Sequence, residues 1–469
     1  MLGARAIVAA LGWSGTVLIS HALPDAAAFG SFAFVFALLG ILGMVADFET
    51  TRVVIAEIDE WDDLDELAGR FFVFRVGLST IVYVLALAIV IVGPYSSIEV
   101  QAVALGGMSY FIASGLWSLI SICQAKLWLR SVAIALVAGQ VVQFAIILGL
   151  AIADRGSLLR FVIPAVVNDA VTLVVLMVLL RGVVRPRPRV DVERWRRWFR
   201  AAAPLALGTF IGNLYFRLDI VMLTWLLPRV ESREEVAIYQ VGYKFSDLLA
   251  FVAPALLAAV LPMLVRTRGT VGFLATFRQA VVIVSIVVAF AVPVFAVLAR
   301  PVIEAFFPDD LAGAAGPARW LVIGQALNFA TQLVFVTLVA TERRARYPIA
   351  TSAGLLVNIA LNVVLVPEHG AMGAAVATII TEIVVLAVLA TALRGLPVFP
   401  LPGASLLRVG AAGLASAITA VAVSAAAPWF VAGAAATIVF VGILQATGVD
   451  GPGGLVGFAE RSRRHVESI

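Results

Sequence analysis

The chain has 469 residues, of which 62% are hydrophobic and only 13% are charged, and its mean hydropathy is +1.05. A soluble domain cannot bury so much apolar surface, so the composition excludes one and predicts an all-α polytopic membrane protein. The formal net charge of +4 would suggest nucleic acid as a partner of a soluble protein, but here the basic residues lie between apolar segments and report membrane topology.

Residues that commonly hold metals or form disulfides are scarce. Cys123 is the only cysteine and the chain has 3 histidines. This excludes an intramolecular disulfide and argues against a His/Cys metal cluster, so we expect no cofactor.

About fourteen apolar segments follow one another, each near the roughly 20 residues that cross a bilayer as a helix. In chain order they are 4–22, 31–56, 71–93, 99–122, 130–153, 160–181, 201–227, 236–264, 273–299, 317–341, 347–366, 371–393, 405–427 and 429–447. The first could instead belong to a secretory signal, because Arg5 precedes an apolar run and residues 26–28 resemble a cleavage site. Its removal would leave an odd number of spans, so we count it as the first span.

The connecting loops alternate in their content of basic residues. Counted from a cytoplasmic N-terminus, the inner loops are rich in arginine and the outer loops hold few basic residues. Because basic loops stay in the cytoplasm, this predicts an even number of spans in the plasma membrane with both termini inside. The inner loop at 59–66 is acidic, but acidic residues contribute little to this tendency, so the predicted topology is unchanged. All loops are short, so we expect the function to reside among the helices.

The longest polar break is the segment 181–200, which contains eight arginines. Its Arg185-Pro-Arg-Pro sequence predicts an extended spacer, and residues 192–200, with Trp195 and Trp198, predict a short helix on the inner leaflet. We interpret the segment as a connector anchored by anionic lipid headgroups. A regulatory or partner-binding role is the alternative.

The halves on either side of this segment repeat a pattern. Span one ends in Leu23-Pro24 and span seven ends in Leu227-Pro228, an offset of about two hundred residues. We therefore predict a six-helix lobe at 1–181, a basic linker with an interfacial helix at 182–200, a second six-helix lobe at 201–394, and two extra helices with a cytoplasmic tail at 395–469.

Spans seven and eight carry charged residues at depths where charges are costly, about 2.5–3.5 kcal/mol each on insertion scales. The tight loop near Glu231 joins these spans, so residues equidistant from it lie at equal depth. Asp219 then matches Lys244, and Arg217 matches Asp247. Two structural ion pairs are one interpretation. A cavity that receives a charged substrate or coupling ion is the other, favoured because buried ion pairs rarely repay their desolvation.

Polar residues also follow single faces of later spans. At helical spacing, the candidate binding residues are Gln325, Asn328 and Gln332 in span ten and Asn358 and Asn362 in span eleven. Amides also hold membrane helices together, so each residue alone has a structural alternative. Arg52 lies near the inner end of span two, where snorkelling to the interface and a cavity role both stay open.

Three segments match a known family. They are Leu23-Pro-Asp-Ala-Ala-Ala-Phe-Gly-Ser-Phe running to Asp47 and Arg52, Asp219-Ile-Val-Met-Leu through Tyr239, and Asn358-Ile-Ala-Leu-Asn-Val-Val-Leu-Val-Pro-Glu-His-Gly. With them, spans one to twelve resemble the polysaccharide-biosynthesis branch of the multidrug/oligosaccharidyl-lipid/polysaccharide exporter superfamily, the lipid-linked oligosaccharide flippases, and its archaeal members in particular.

The resemblance implies about fourteen transmembrane helices in two six-helix lobes around a central cavity, plus two C-terminal helices, with openings that alternate between the two sides. The implied substrate is a glycan on an isoprenoid phosphate or diphosphate, flipped from the cytoplasmic to the outer leaflet. Arg52, Arg217 and Lys244 are then candidates for phosphate contact, with Asp219 and Asp247 as counter-charges. We expect a monomer among membrane lipids, with H⁺ or Na⁺ as coupling ion and no nucleic acid.

Acidic residues within the spans outnumber the basic ones when Asp47, Glu49, Asp169 and Glu382 are included. A cation-coupled antiporter of small organic molecules from the same superfamily is therefore the alternative. A membrane glycosyltransferase is less favoured because the outer loops are short, and an accessory scaffold is the remaining interpretation. We expect a transporter and not an enzyme.

Overall fold

The computed structural model describes residues 2–58, 61–154, 156–250, 252–270, 272–343 and 346–448, and these residues contain helices and no strand. The α-helices are α1 (Leu2–Ala22), α2 (Ala26–Asp47), α3 (Thr50–Ala56), α4 (Leu64–Val92), α5 (Ser97–Gly107), α6 (Ser109–Ala125), α7 (Leu129–Ile152), α8 (Leu158–Leu179), α9 (Val192–Leu226), α10 (Arg229–Ala250), α11 (Val252–Thr267), α12 (Gly272–Phe306), α13 (Ala315–Ala340), α14 (Tyr347–Thr391), α15 (Gly403–Ser424) and α16 (Trp429–Thr447).

The predicted all-α membrane fold is confirmed, and each predicted span is mainly helical wherever the structure describes it, with breaks at residues 48–49 in span two and at Met108 in span four. Within the described ranges, 11 helical stretches are long and apolar enough to cross a membrane. α14 is one of them, although it bends at Gly370 and covers spans eleven and twelve. Spans seven and eight correspond to α9 and to α10 with α11. The predicted cytoplasmic tail after residue 448 lies outside the described residues.

The bend in α14 requires a glycine. Gly370 has φ 52° and ψ −132°, in the half of conformational space that a Cβ disfavours. A Cβ at this position would also collide with the carboxylate of Glu235. Beyond the bend the chain folds back, so Gly354 of the first half lies against Val385 of the second.

Span two is interrupted by a break that its sequence does not predict. Phe48 and Glu49, between α2 and α3, have φ 46° and 54°, although both carry a Cβ. No glycine or proline occupies the break itself.

The helices form two compact units. The first comprises residues 1–240 with 366–370, and the second comprises 241–365 with the residues from 371 onward. In the first unit α7 packs on α8 and on α1, and α4 packs on α6. In the second unit α15 and α16 pack on each other and on α12, where Phe290 meets Phe440 with 5.1 Å between ring centroids. The lobes predicted from the sequence repeat, at 1–181 and 201–394, stay a prediction.

The basic linker is bound to the acidic loop that precedes α4. The ion pairs between these segments are Arg187–Asp63, Arg187–Asp65, Arg189–Glu66 and Arg70–Asp191. The main-chain N–H of Arg187 also donates to the carbonyl oxygen of Asp65 at 2.9 Å. A hydrogen bond from the Arg194 N–H and the guanidiniums of Arg70 and Arg194 lower the pKa of Asp191. We call this contact the linker clasp.

The segment predicted as a short interfacial helix is helical, but it is not separate. Residues 192–200 are the first turns of the 35-residue α9. Trp198 is 0% exposed, packs edge-on against Phe71, and donates its indole N–H to Glu57 at 2.8 Å. The prediction is therefore corrected for Trp198: its partners within the protein bury a side chain that composition alone assigned to the lipid interface.

Candidate functional site

A cavity of 540 Å³ lies inside the first compact unit. Its polar lining residues are Asp47, Glu49, Thr51, Arg52, Arg75, Ser79, Tyr110 and Gln124. They lie on or next to α2, α3, α4 and α6, and Ala206 and Phe210 of α9 complete the wall. We call this space the α2–α6 cavity. A polar cavity among helices of membrane-crossing length can hold a polar group that lipid would exclude.

The break at Phe48 and Glu49 shapes the cavity wall. It redirects the chain between Asp47 and Arg52, and both residues line the cavity. Residues in sparsely populated backbone regions cost of order 1–3 kcal/mol each and persist where surrounding contacts hold them. Here the Phe48 ring stacks on Phe199 at 4.5 Å, and the Thr50 hydroxyl donates to the Asp47 carbonyl oxygen at 2.7 Å.

Arg75 is the most deeply placed charge in the cavity wall. It is 4% exposed, and its Nη1 donates to Asp47 Oδ1 at 2.5 Å and to Thr51 Oγ1 at 3.3 Å. Its Nε–H is buried and has no hydrogen-bond partner in the described part of the chain. Its guanidinium carbon lies 5.6 Å from the centroid of the Phe71 ring. Arg75 therefore retains donor capacity beyond its pairing with Asp47.

The sequence interpretation missed Arg75, although a signal existed. Arg75 lies within the predicted span 71–93, where an arginine is costly without a function or partner.

Two residues predicted as phosphate contacts also belong to this unit. Arg52 lines the cavity, pairs with Glu49 at 3.0 Å, and has a side chain that is 64% exposed. Nη1 of Arg217 lies 3.3 Å from the position that a Cβ on Gly40 would occupy, and Gly40 lines the cavity. The structure thus brings Arg217 next to the helix that carries Asp47.

The α2–α6 cavity is electrically balanced in its present state. The carboxylates of Asp47 and Glu49 pair with the guanidiniums of Arg75 and Arg52. An arriving phosphate has the charge and the oxygen geometry to replace a carboxylate on a guanidinium. The site is therefore suited to binding an anion that replaces a carboxylate on a guanidinium, rather than to attracting one through a large excess of positive charge.

A second polar cluster lies in the second unit, around Glu382 of α14. This carboxylate is 0% exposed and accepts from Asn328 Nδ2 at 3.3 Å and from the Thr331 hydroxyl at 3.3 Å. Gln325 Nε2 donates to Asn328 Oδ1 at 3.5 Å. Two of the three predicted residues of span ten thus contact one another, whereas Gln332 is only partly buried.

The two predicted asparagines of span eleven are fully buried on α14. Nδ2 of Asn362 donates to the main-chain oxygen of Asn358 at 2.9 Å. Neither side-chain amide atom of Asn358 has a hydrogen-bond partner within the described ranges. An unsatisfied buried amide costs about 1–3 kcal/mol, so Asn358 is a candidate contact for an ion, a water molecule or a substrate.

The charged residues of spans seven and eight fall in different units. Asp219 is 0% exposed, and its Oδ2 accepts from the Tyr239 hydroxyl at 2.6 Å, both within the first unit. Lys244 and Asp247 belong to the second unit, where Lys244 is partly buried and Asp247 is exposed. The pairing of Asp219 with Lys244 and of Arg217 with Asp247 therefore stays a prediction.

Another ion pair that the sequence interpretation missed joins α5 to α10. Arg233 Nε lies 2.6 Å from Glu99 Oε1, and both side chains are buried. The Arg233 guanidinium lies 5.2 Å from the Phe34 ring centroid and 5.5 Å from that of Tyr95. Burial raises the pKa of Tyr95 even though its hydroxyl accepts a hydrogen bond from the Trp225 indole. The sequence interpretation assigned Arg233 to an outer loop, and nothing in that assignment indicated that its side chain would be buried.

The second unit also has an apolar pocket of 420 Å³. Phe245 and Leu249 of α10, Phe290 and Leu298 of α12, and Trp429 of α16 are among its lining residues. Its size and apolar lining suit a hydrocarbon segment rather than a sugar.

A family model described as polysaccharide biosynthesis protein matches residues 14–268, more than half of the chain. No curated protein matches the chain. Among solved structures, the lipid II flippase MurJ in an inward closed conformation matches with a TM-score of 0.77 and 13% identity, over 95% of this chain and 97% of that chain.

Two further structures share the fold. An inward-facing multidrug resistance MATE family transporter of the MOP superfamily matches with a TM-score of 0.66 and 14% identity, over 82% of this chain and 93% of that chain. A MOP superfamily transporter from Pyrococcus furiosus matches with a TM-score of 0.55 and 13% identity, over 83% of this chain and 92% of that chain. At these identities the matches establish a common fold.

Proposed function

The chain belongs to the polysaccharide biosynthesis protein family, and from this premise we propose that it flips a lipid-linked oligosaccharide from the cytoplasmic to the outer leaflet of the plasma membrane. The observation that carries the proposal is the ion pair between the buried Arg75 and Asp47 in the wall of the α2–α6 cavity. The substrate is a glycan on an isoprenoid phosphate or diphosphate. The structural likeness to a lipid II flippase supports the same mechanism class.

The phosphate of the carrier binds by replacing a carboxylate. Asp47, whose side chain is 37% exposed, holds Arg75 while the cavity is empty. When phosphate enters, it takes over the Arg75 guanidinium and also uses the unpaired Nε–H. Arg52 and Arg217, at or beside the same cavity, add further cationic contacts, and Lys244 stays a predicted phosphate contact.

The exchange addresses the main energetic difficulty of flipping. Moving a bare phosphate into hydrocarbon is prohibitive, whereas moving it onto a guanidinium already held in place removes much of that cost. Asp47 in turn prevents Arg75 from being a buried, unpaired charge in the empty protein. The polar hydroxyl and amide groups of the cavity are suited to the sugars nearest the carrier.

The hydrocarbon tail needs no polar cavity. The apolar pocket around Phe245, Phe290 and Trp429 has the lining expected for part of an isoprenoid chain. The remainder of the tail stays in the bilayer. The cycle proceeds by alternating access in a monomer whose termini are both cytoplasmic. No catalytic residue is involved, and the protein acts as a transporter.

A coupling ion, H⁺ or Na⁺, drives the cycle at the second polar cluster. Glu382 supplies a buried carboxylate, and Asn358 supplies an amide without a hydrogen-bond partner in the described part of the chain. Asn328 of α13 and Asn362 of α14 are candidates for further oxygen ligands. Asp219 and Asp247 remain candidates for charge compensation.

The test measures how much lipid-linked glycan becomes accessible at the outer leaflet of proteoliposomes that contain the purified protein. Arg75→Gln should slow the appearance of glycan about 10- to 150-fold, the effect of losing one hydrogen-bonded charge. Arg196→Gln is the matched control, since Arg196 is exposed and makes no ion pair in the described part of the chain. Normal flipping by Arg75→Gln, Arg52→Gln and Arg217→Gln, each folded, would refute the proposal.

A cation-coupled antiporter of small organic molecules is the second candidate. The electrical balance of the α2–α6 cavity and the buried Glu382 favour it, because such a transporter needs an acid to carry the ion and no net positive cavity. Loss of an antiporter would sensitise cells to drugs and leave glycans intact. Loss of a flippase would strand lipid-linked glycan on the cytoplasmic leaflet.

A further inference from the structure

Three arginines from two connecting segments converge on one pocket in the second unit. The pocket has a volume of 470 Å³ and is lined by Arg343, Arg346, Thr391, Ala392 and Arg394. The first two arginines lie between α13 and α14, and the third follows α14. Because α14 folds back at Gly370, its beginning and its end meet here. We call this site the arginine pocket.

Neutral oxygen atoms hold two of these arginines in place. Arg343 Nη1 donates to the main-chain oxygens of Ala392 at 3.2 Å and Arg394 at 2.7 Å. Arg346 Nη1 donates to the Thr391 hydroxyl at 3.1 Å. A carbonyl or hydroxyl oxygen orients a guanidinium but leaves its full positive charge in place. Each guanidinium has five N–H donors, so most remain available.

The arginine pocket differs from the linker clasp and from the contact between Arg268 and Glu342, which also lie on the side predicted to be cytoplasmic. Arg187 and Arg189 of the linker clasp pair with carboxylates, and Arg268 pairs with Glu342 at 2.6 Å. No carboxylate lines the arginine pocket among the described residues, and its three arginines form no ion pair there. The tendency of arginines to occupy inner loops explains their presence, but it does not explain their convergence without acids.

We propose that the arginine pocket binds a phosphate group, carried either by an anionic membrane lipid or by a free phosphate ion. Guanidinium groups bind phosphate oxygens through paired N–H donors, and prepositioned guanidiniums lose little freedom on binding. Basic pockets at the inner end of membrane helices are suited to anionic headgroups. This site is separate from the α2–α6 cavity in sequence and does not depend on the proposed transport function.

The experiment is calorimetric titration of the purified full chain in a non-ionic detergent at low salt. The probes are dihexanoylphosphatidylglycerol, dihexanoylphosphatidylcholine and inorganic phosphate. The test variants are Arg346→Gln and Arg394→Gln, alone and together. Arg343 is left unchanged because it holds the end of α14, and its loss could impair folding. Arg408→Gln is the control, since it removes the same charge from an exposed position outside the pocket.

We expect phosphatidylglycerol to bind and each substitution to raise its dissociation constant about fivefold, with about 25-fold for the double variant. Arg408→Gln and phosphatidylcholine should show little change and little binding. Inorganic phosphate that binds with the same dependence on Arg346 identifies a site for free phosphate as well. Lipid binding alone identifies a headgroup site.

Two results would overturn the proposal. One is equal weakening by Arg408→Gln and Arg346→Gln, which indicates attraction to overall charge. The other is binding of phosphatidylglycerol that neither Arg346→Gln nor Arg394→Gln alters while the variants remain folded. In that case the arginines only fasten the ends of α14.

Discussion

The buried pair Glu99–Arg233 allows a quantitative test of how ionic groups stabilise the first unit. Arg233 Nε lies 2.6 Å from Glu99 Oε1, and its guanidinium lies over Phe34 and Tyr95. Removing one partner of a buried ion pair commonly costs about 3–5 kcal/mol, because the other charge is left without compensation. The two single substitutions should fall at opposite ends of this range.

Arg233→Met should cost about 3 kcal/mol, near the lower limit of the range for buried pairs. The remaining Glu99 carboxylate keeps two donors, the Ser96 N–H at 2.8 Å and the Ser96 hydroxyl at 2.9 Å. Glu99→Met should cost about 5 kcal/mol, since it strands the buried guanidinium. About 1 kcal/mol of this cost comes from the loss of the capping box at the start of α5.

The double variant should be more stable than Glu99→Met alone, since no buried charge remains and mainly the hydrogen bonds from Ser96 to the carboxylate are lost. The measurement is the free energy of unfolding in mixed detergent micelles with increasing SDS, followed by tryptophan fluorescence. Ser157→Ala, which removes the N-cap of α8 without touching an ion pair, calibrates the cost of a cap. Costs that simply add in the double variant would contradict the reasoning, because they would mean that each side chain acts independently.

Three further predictions concern other parts of the chain. Gly370→Ala should destabilise the protein by about 1–3 kcal/mol in the same assay, because Gly370 has a positive φ and the added Cβ would collide with Glu235. Gly395→Ala should cost less, because Gly395 also has a positive φ, 77°, but has open space around it. Glu382→Leu should cost about 2–4 kcal/mol, because the Asn328 amide and the Thr331 hydroxyl lose the carboxylate to which they donate. If Glu382→Leu destabilises the protein less than Gln332→Leu does, Glu382 does not stabilise the second unit in this way. The linker clasp should weaken at acid pH. Because the pKa of Asp191 is lowered in the folded protein, its stabilising contribution is present above the usual aspartate pKa and is lost as the pH falls through the lowered value. Faster exchange of the Arg194 amide hydrogen, corrected for the intrinsic pH dependence of exchange, should report this loss.

Several features of the fold follow from local sequence alone. The last predicted span, 429–447, coincides with α16, Trp429–Thr447, because an apolar run between a proline and a glycine leaves little freedom in where the helix begins and ends. The turn at Pro367 to Gly370 was also recognisable, since glycine is the residue that accepts the positive φ found there. The break at Phe48 and Glu49 had no such signal, because contacts with Phe199 and other distant residues hold it.

The candidate site was only partly predictable, and the reason is pairing. The sequence identified Arg52 in span two and Arg217 in span seven as candidate binding residues, and both lie at or beside the α2–α6 cavity. It did not identify Arg75 as the buried charge, because the partner of Arg75 is Asp47, on a different helix. Asp219 accepts a hydrogen bond from the hydroxyl of Tyr239, and its pairing with Lys244 stays a prediction.

Composition and periodicity determined that this chain is a bundle of membrane-crossing helices, since hydrophobic transfer depends on the content and length of each segment and on little else. Tertiary structure decided which charges face one another, as in Arg75 with Asp47, Arg233 with Glu99, and the linker arginines with the acidic loop. The physical reason is that ion pairs and hydrogen bonds act over a few ångströms between atoms far apart in sequence. Only the packing of the helices brings those atoms within reach.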